Sequence, residues 1–315
     1  HRGPDLRPPI LRRLRHHPPL GPPLNPGPPH PPGQLRLPLP LHPPLTEIML
    51  AKHHNSKMNL HFDERKAQGY KSNSQIARVL TEDWVESNLY CPVCGAPTLE
   101  HYSANRPVAD FYCNACHADF ELKSKETKTG QIGQKIADGA YHTMIERITS
   151  NKNPHLLVMT HHNLAVTNLI IIPNYFLVPS IIEERPPLKK GARRAGWIGC
   201  NIELNPIPSF GKIAIIENSN VTNPDTVVAN YKHSLKFQTN SIEVRGWMMD
   251  VLNIIDRIPT PIFKLSEVYL HIQELQLKHP ENHFIDAKIR QQLQILRDKG
   301  FISFISNGIY KKNFV

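Results

Sequence analysis

The sequence predicts an α/β architecture: helices layered on a mixed sheet, a short cysteine-bearing ribbon set into it, and a unit of helices and a hairpin at the C-terminal end. Three patterns carry that reading. Between Lys71 and Ile216, apolar residues at helical spacing alternate with short apolar runs of strand character. Two Cys-x-x-Cys pairs, Cys91–Cys94 and Cys113–Cys116, break into the alternation with 18 residues between them. Beyond residue 241, helical patterns end in two alternating runs around Asn307-Gly308.

The first 56 residues stand apart. They hold 16 of the 30 prolines, and seven Lys or Arg against two acids. Proline fixes φ and withdraws an amide donor, so a segment this rich in it builds neither helix nor sheet. Residues 1–57 are therefore expected to be a disordered or polyproline II extension. Prolines interrupt every stretch that could serve as a secretory leader, and no apolar run is long enough to span a bilayer. The expectation is an extraneous segment, with the working protein starting near Met58. It contributes +5 of the +10 net charge, and the other 259 residues carry the remaining +5. A mildly basic body suits a nucleic-acid partner without establishing one.

A first domain is expected over residues 58–240. Ser72-Asn73-Ser74 offers an N-cap to a helix whose Ile76, Val79, Leu80 and Trp84 face the core, so Trp84 is a packing residue. The cysteine pairs follow at residues 91–116. Each Cys-x-x-Cys turn presents two thiolates to one edge of a tetrahedron, and together they match a structural Cys₄ zinc ribbon. Disulfides are the competing use, but only five Cys, four of them in tight pairs, and no secretory leader speak for metal. Cys200, after Trp197-Ile198-Gly199, reads as a buried, inert thiol. A second helix is expected from about Gln131 to Ile148, with Ile132, Ile136, Met144 and Ile148 inward. Strands are expected over Leu156–Thr160, Val166–Ile172, Ile198–Glu203 and Lys212–Ile216.

Residues 107–125 concentrate the chemistry. Two short runs flank Cys113–Cys116 as a hairpin, with Asp110 in the first and Glu121 and Lys123 in the second. Residues two apart on a strand share a face, so Glu121 and Lys123 point into one site while Leu122 points to the core. Pairing across the hairpin brings Asp110 beside them. Two converging carboxylates are hard oxygen ligands of the kind that hold Mg²⁺, and a neighbouring ammonium can position or deprotonate a water. Such a constellation cleaves phosphodiesters. A solvated hairpin with ordinary surface charges would carry the same residues. The ribbon moves the balance: a closed Cys₄ site has no open position for a substrate, but it pins the turn between Asp110 and Glu121.

Two surfaces suit DNA. The loop Lys189–Trp197 offers Lys189, Lys190, Arg193 and Arg194 to a phosphate backbone and the Trp197 indole to a base. A solvated loop with Trp197 tucked into the core is the plainer reading. In residues 241–315, Trp247, Val251, Ile254, Ile255 and Ile258 mark a helix ended by Pro259. Phe263, Leu265, Val268, Ile272 and Leu275 mark a further segment, and Asp286–Lys299 a helix with Gly300 at its C′ position. Residues 301–312 then form a hairpin, so the unit reads as a winged helix. Lys288, Arg290, Gln291, Gln294 and Arg297 decorate the exposed face of its recognition helix, where Gln suits adenine edges and Arg guanine. A winged helix that binds protein would present a similar polar face.

The runs Tyr70–Gln75, Leu80–Trp84, the cysteine pairs, Arg106–Cys116, Phe120–Lys125, Asp138–Tyr141, Arg193–Ile202 and Ile289–Leu293 together resemble the DpnI type of restriction endonuclease. That family is the methyl-directed branch of the PD-(D/E)xK nucleases, and the resemblance covers residues 58–315. Its motif usually has adjacent Pro-Asp, whereas Val-Ala separates Pro107 from Asp110 here. The resemblance implies Mg²⁺-dependent cleavage of double-stranded DNA at GATC carrying N6-methyladenine. It assigns the Mg²⁺ to Asp110, Glu121 and the Leu122 carbonyl, the attacking water to Lys123, and makes Trp197 a candidate methyl sensor. It also implies a monomer in a bacterial cytoplasm, part of restriction defence against methylated foreign DNA. A zinc-ribbon and winged-helix regulator without catalysis, or a repair-type nuclease blind to methylation, are the alternatives.

Overall fold

The structure, a computed structural model, describes residues 58–103 and 109–314. The expected proline-rich extension over 1–57 and the position of Pro107 lie outside the described residues.

Helix α1 (Asn73–Asn88) begins where expected, and Ser72 has the extended backbone of an N-cap. Its hydroxyl, however, pairs with that of Ser74 at 2.8 Å instead of capping an amide. Leu80, Trp84 and Val85 are buried, and the Trp84 indole N–H donates to the Asn59 carbonyl at 2.8 Å. Trp84 is a packing residue.

Next come β1 (Glu100–His101), β2 (Phe111–Tyr112), β3 (Asp119–Glu126), β4 (Lys135–Ala140), α2 (Tyr141–Thr149), β5 (His155–His162) and β6 (Ala165–Ile172). They are followed by β7 (Ile182–Glu184), β8 (Gly199–Glu203), β9 (Ile213–Glu217), β10 (Asn220–Val221) and α3 (Pro224–Ser234). A mixed seven-stranded sheet runs β1-β2-β3-β5-β6-β9-β10, with β3 and β5 parallel and every other pairing antiparallel. Both faces are covered. Leu157 and Met159 of β5 pack with Trp84, Phe111 and Phe120, while Leu156 and Val158 join Met144, Ile148 and Ile172. Burial on both faces is why β5 and β6 read as continuous apolar runs and not as alternating strands.

A parallel pair needs a crossover. Here β4 and α2 supply it, and this corrects one expectation. The helix expected from Gln131 is strand over Lys135–Ala140 and becomes helix only at Tyr141. Ile132 and Ile136 are four apart, a spacing that serves one face of a strand as well as one face of a helix. Asp138-Gly139 is a poor helix interior, and β4 satisfies its backbone by pairing with β8 in a second sheet, β4-β8-β7.

The C-terminal unit comprises α4 (Ile242–Arg257), β11 (Ile262–Lys264), α5 (Leu265–Tyr269), α6 (Ile272–Lys278), α7 (Ile285–Asp298), β12 (Ile302–Ser306) and β13 (Ile309–Lys312). The strands form a sheet ordered β11-β13-β12. Gly300 (φ +77°) ends α7 and Gly308 (φ +69°) turns the hairpin, both in the left-handed region that favours glycine. This is a winged helix. Its apolar core is continuous with that of the sheet: Phe237 meets Phe301 at 6.2 Å and Phe210 stacks on Phe301 at 4.9 Å. Among the described residues no helix is long and apolar enough to cross a membrane.

Candidate active site and DNA-facing surfaces

The ribbon is built from two matching knuckles. In the first, the Gly95 N–H donates to the Cys91 carbonyl at 2.8 Å; in the second, the His117 N–H donates to the Cys113 carbonyl at 2.8 Å. Each turn requires a left-handed residue after its second cysteine. Gly95 (φ +82°) supplies one and His117 (φ +58°) the other. The knuckles meet with all four sulfurs within 4.8 Å of one another, and Cys91–Cys116 and Cys94–Cys113 both stand at 3.7 Å. That separation far exceeds the roughly 2.05 Å of a disulfide. A tetrahedron with Zn–S bonds of about 2.3 Å has edges of about 3.8 Å. Four cysteines so placed could hold a metal such as zinc. Burial pushes the Cys91 and Cys116 thiols up. It also opposes ionisation of Cys113, but the backbone N–H groups of Cys116 and Ala115 outweigh it and bring that thiol down.

From the ribbon the chain runs directly into the charged cluster. Asp110 sits at a bend before β2, where its N–H donates to the Phe120 carbonyl at 2.9 Å and its carbonyl accepts from Tyr102 at 2.8 Å. Its carboxylate accepts the Leu122 N–H at 2.7 Å. Three bonds thus fix Asp110 beside β3. On β3, Phe120 is fully buried, and Leu122 packs against the same core. Glu121 and Lys123 face the other way, with side chains 14% and 23% exposed, and Lys123 Nζ lies 2.8 Å from Glu121 Oε1. The structure brings Asp110, Glu121 and Lys123 to the same stretch of β3.

It adds two residues that sequence reading did not assign. Asp138 of β4 accepts from Lys123 Nζ at 2.5 Å, with a side chain 3% exposed. Arg147 of α2 reaches Glu121 Oε2 at 3.4 Å. The crossover between β3 and β5 therefore folds one acid and one cation over the acidic strand. Burial raises the Glu121 pKa, opposed by Lys123 and Arg147 and reinforced by Asp138. For Lys123, burial works downward but the Glu121 and Asp138 carboxylates prevail and raise it, so the amine stands as an ammonium. Asp138-Gly139 inside a helical pattern was the available signal, because that dipeptide breaks helices. Arg147 had none.

The basic loop is exposed over Arg193 and Arg194, while Trp197 is half-buried. The Arg194 guanidinium covers the indole at 4.6 Å, and a Cβ at Gly199 would meet two indole atoms at 2.8 Å. Trp197 lies between the Arg194 guanidinium and the Gly199 backbone. On α7, Arg290, Gln291, Gln294 and Arg297 are exposed as expected. Arg290 is held by the Tyr269 hydroxyl at 2.7 Å and by Asp286, and Arg297 by Asp298. Lys288 departs from the expectation of an exposed residue. It is half-buried, 5.4 Å above the Trp247 ring and 3.7 Å from Glu243, because its place on the flank of α7 turns it toward α4.

Comparison with protein families places the chain. The model of the DpnI family, described as the Dam-replacing family, matches residues 58–240. The chain belongs to the DpnI family. The model of the Dam-replacing HTH domain matches residues 243–312, which are the winged helix of the structure. DpnI-family membership makes the chain a methyl-directed restriction endonuclease in general terms, with a C-terminal domain suited to DNA.

Proposed function

We propose that the protein is a type II restriction endonuclease that hydrolyses double-stranded DNA at GATC sites carrying N6-methyladenine, using Mg²⁺. In this reading Asp110, Glu121 and the Leu122 carbonyl hold the Mg²⁺, and zinc in the cysteine cluster is a structural staple. The observation that carries it is the placement of Glu121 and Lys123 on one half-buried strand face, with the Asp110 carboxylate fastened to the intervening Leu122 amide. Two carboxylates and a carbonyl are the hard oxygen donors this ion prefers. Bound there, it supplies Lewis acidity to the scissile phosphate and acidifies a water. The chain's own residues do the rest. Lys123 orients the attacking water, and its charge offsets the charge that develops on the phosphate as one P–O ester bond breaks. Arg147 holds Glu121 from behind.

Methyl discrimination has a physical ceiling. One methyl in an apolar pocket is worth about 1–3 kcal/mol, roughly 10–200-fold. Reading both strands, or reading in the nuclease and in the winged helix independently, multiplies the factors. That supports Trp197 and the α7 face as separate readers, with Arg193 and Arg194 on the backbone. The same reading makes the protein a monomer of the bacterial cytoplasm, acting in restriction defence.

Plasmid grown with and without adenine methylation, digested with Mg²⁺ beside Lys123→Ala, tests the proposal. Cutting of the methylated plasmid alone, abolished in the variant, is the expected result. Equal cutting of both would make the enzyme blind to methylation. Cutting of neither would favour a non-catalytic regulator, a role that has no use for Asp110, Glu121 and Lys123 brought into register at β3.

A further inference from the structure

Lys123 has the longest and intrinsically most flexible side chain of the proposed catalytic trio. Its four-carbon stem carries a compact charge that many rotamers can place elsewhere, and ordering it costs entropy. Glu121 alone does not fix it. The Glu121 carboxylate is also the group a divalent cation would engage, and Arg147 already claims its second oxygen. The remaining partner is Asp138, whose side chain is nearly closed off from solvent.

Three features make the Asp138 contact a built one. First, the β4–β8 register shifts between Asp138 and Ala140, a bulge directly at the acid. Bulges bend a strand and re-aim a side chain, and they gather next to active sites. Second, one oxygen does double duty: Asp138 Oδ1 accepts from Lys123 Nζ at 2.5 Å and from the Gly139 N–H at 2.6 Å, so the backbone sets where that oxygen stands. Third, Oδ2 is buried with no hydrogen-bond partner among the described residues. A carboxylate this enclosed is costly unless paired, and its ion pair here is with Lys123. Glu121, Arg147 and Cys200 complete the surroundings, with Cys200 Sγ turned to the Gly139 carbonyl at 3.5 Å.

We propose that Asp138 is a positioning residue of this site: re-aimed by the β4 bulge, its carboxylate tethers the Lys123 ammonium, so that the lysine keeps its place when Glu121 turns to a divalent cation. The tether crosses between sheets. Lys123 belongs to the seven-stranded sheet and Asp138 to β4-β8-β7, so the crossover that makes β3 and β5 parallel also delivers the acid that holds the lysine. The proposal rests on Lys123 serving the nuclease reaction, and the test separates the two.

In metal-free protein with lysine side chains labelled with ¹⁵N, a tethered Lys123 ammonium gives a protected ¹H–¹⁵N signal, assigned by its absence in Lys123→Ala. Asp138→Ala should lose that signal, while Asp138→Asn, which keeps an oxygen at the Oδ1 position, should retain it. Single-turnover cleavage of a methylated duplex with Mg²⁺ should fall about 100-fold in Asp138→Ala, the scale of a misplaced catalytic group. DNA affinity measured in Ca²⁺ should stay within about twofold of wild type, and Asp138→Asn should recover at least tenfold in rate. Three results overturn the proposal: an Asp138→Ala enzyme as fast as wild type; both variants equally slow with a raised Mg²⁺ requirement, which would make Asp138 a metal ligand; or loss of DNA affinity and thermal stability in step with rate, which would make it structural. A wild type that cuts no methylated DNA would refute the nuclease reading instead, and the ammonium signal, read without DNA, would still decide the tether.

Discussion

His155 gives the fold a calculable weakness to acid. It opens β5 beside Phe120, the residue before Glu121, with ring centroids 5.6 Å apart. Its Nδ1 accepts the Asn174 N–H at 3.0 Å, so the neutral ring carries its proton on Nε2, which faces the Tyr231 hydroxyl at 3.3 Å. A second proton would have to displace the Asn174 amide in a buried place, and burial brings the pKa from 6.5 down to about 4. Above pH 6.5 the ring is neutral in folded and unfolded chains alike, and its titration contributes nothing. As pH falls from 6.5 toward 4, unfolded chains take up a proton that folded ones refuse, so stability declines; below 4 the loss levels off. At about 1.4 kcal/mol per pKa unit, the loss comes to about 3 kcal/mol. His155→Asn keeps an acceptor for Asn174 and removes the titration. Denaturant unfolding of both proteins at pH 7.5, 6.5, 5.5 and 4 isolates the effect, since every other acid-sensitive group is common to them. The variant should be the weaker at pH 7.5, having lost the Tyr231 contact, and should gain about 3 kcal/mol relative to wild type by pH 4. A difference that does not change with pH would refute the neutral, buried imidazole.

Three further outcomes follow from the geometry. Cys113→Ser should abolish stoichiometric zinc, read by elemental analysis, and with it the lower-temperature part of the melt: structural tetrathiolate sites contribute on the order of 10 kcal/mol of folding energy, comparable to a whole domain's stability. A metal-free wild type that melts unchanged would dispose of the staple. Gly199→Ala puts a methyl 2.8 Å from two Trp197 atoms and must push the indole off its seat, so Trp fluorescence should shift and preference for methylated over unmethylated DNA should drop about tenfold or more; a shifted spectrum with unchanged preference would remove Trp197 as a reader. Arg297→Ala should lower the salt slope of DNA binding by about one, whereas Gln294→Ala should cost about 1–3 kcal/mol at one base position and leave the slope alone.

How much of this was legible in the sequence depended on how local the signal was. The cysteine knuckles are self-contained four-residue turns, so spacing sufficed to place all four sulfurs together. On β3 the two-residue period put Leu122 against the core and Glu121 and Lys123 on the opposite face. The recognition helix had its period and its Gly300 stop, and α7 came out within a residue of expectation. Where two periods share a spacing, as at Ile132 and Ile136, pattern alone could not choose, and the sheet partner β8 decided for strand. Contacts to the cluster from β4 and α2 were beyond reach for another reason. Lys123 meets Asp138 across 15 residues and Glu121 meets Arg147 across 26, and no periodicity links either pair. The same holds for Lys288, whose turn toward Trp247 depends on where α4 packs.

Those two unforeseen residues add one charge of each sign to the site. Asp110, Glu121 and Asp138 bring three formal negative charges, and Lys123 and Arg147 two positive ones. The cluster is therefore one charge short of neutral before any ion enters. In a poorly solvated place a single excess negative charge is felt strongly, because little water screens it. It repels a phosphodiester and attracts a cation. One divalent ion reverses the sign to a single positive charge, the complement of one phosphate. Without Asp138 and Arg147 the trio alone would carry the same formal charge, so the pair does not alter the balance. What it changes is rigidity: Glu121 and Lys123 each gain an oppositely charged partner from outside the strand. In the proposed reaction a cation would therefore load before or together with the phosphate, a consequence of the three residues of the strand and its neighbour. The precision with which Lys123 and Glu121 would meet that phosphate in the proposed reaction follows from the crossover.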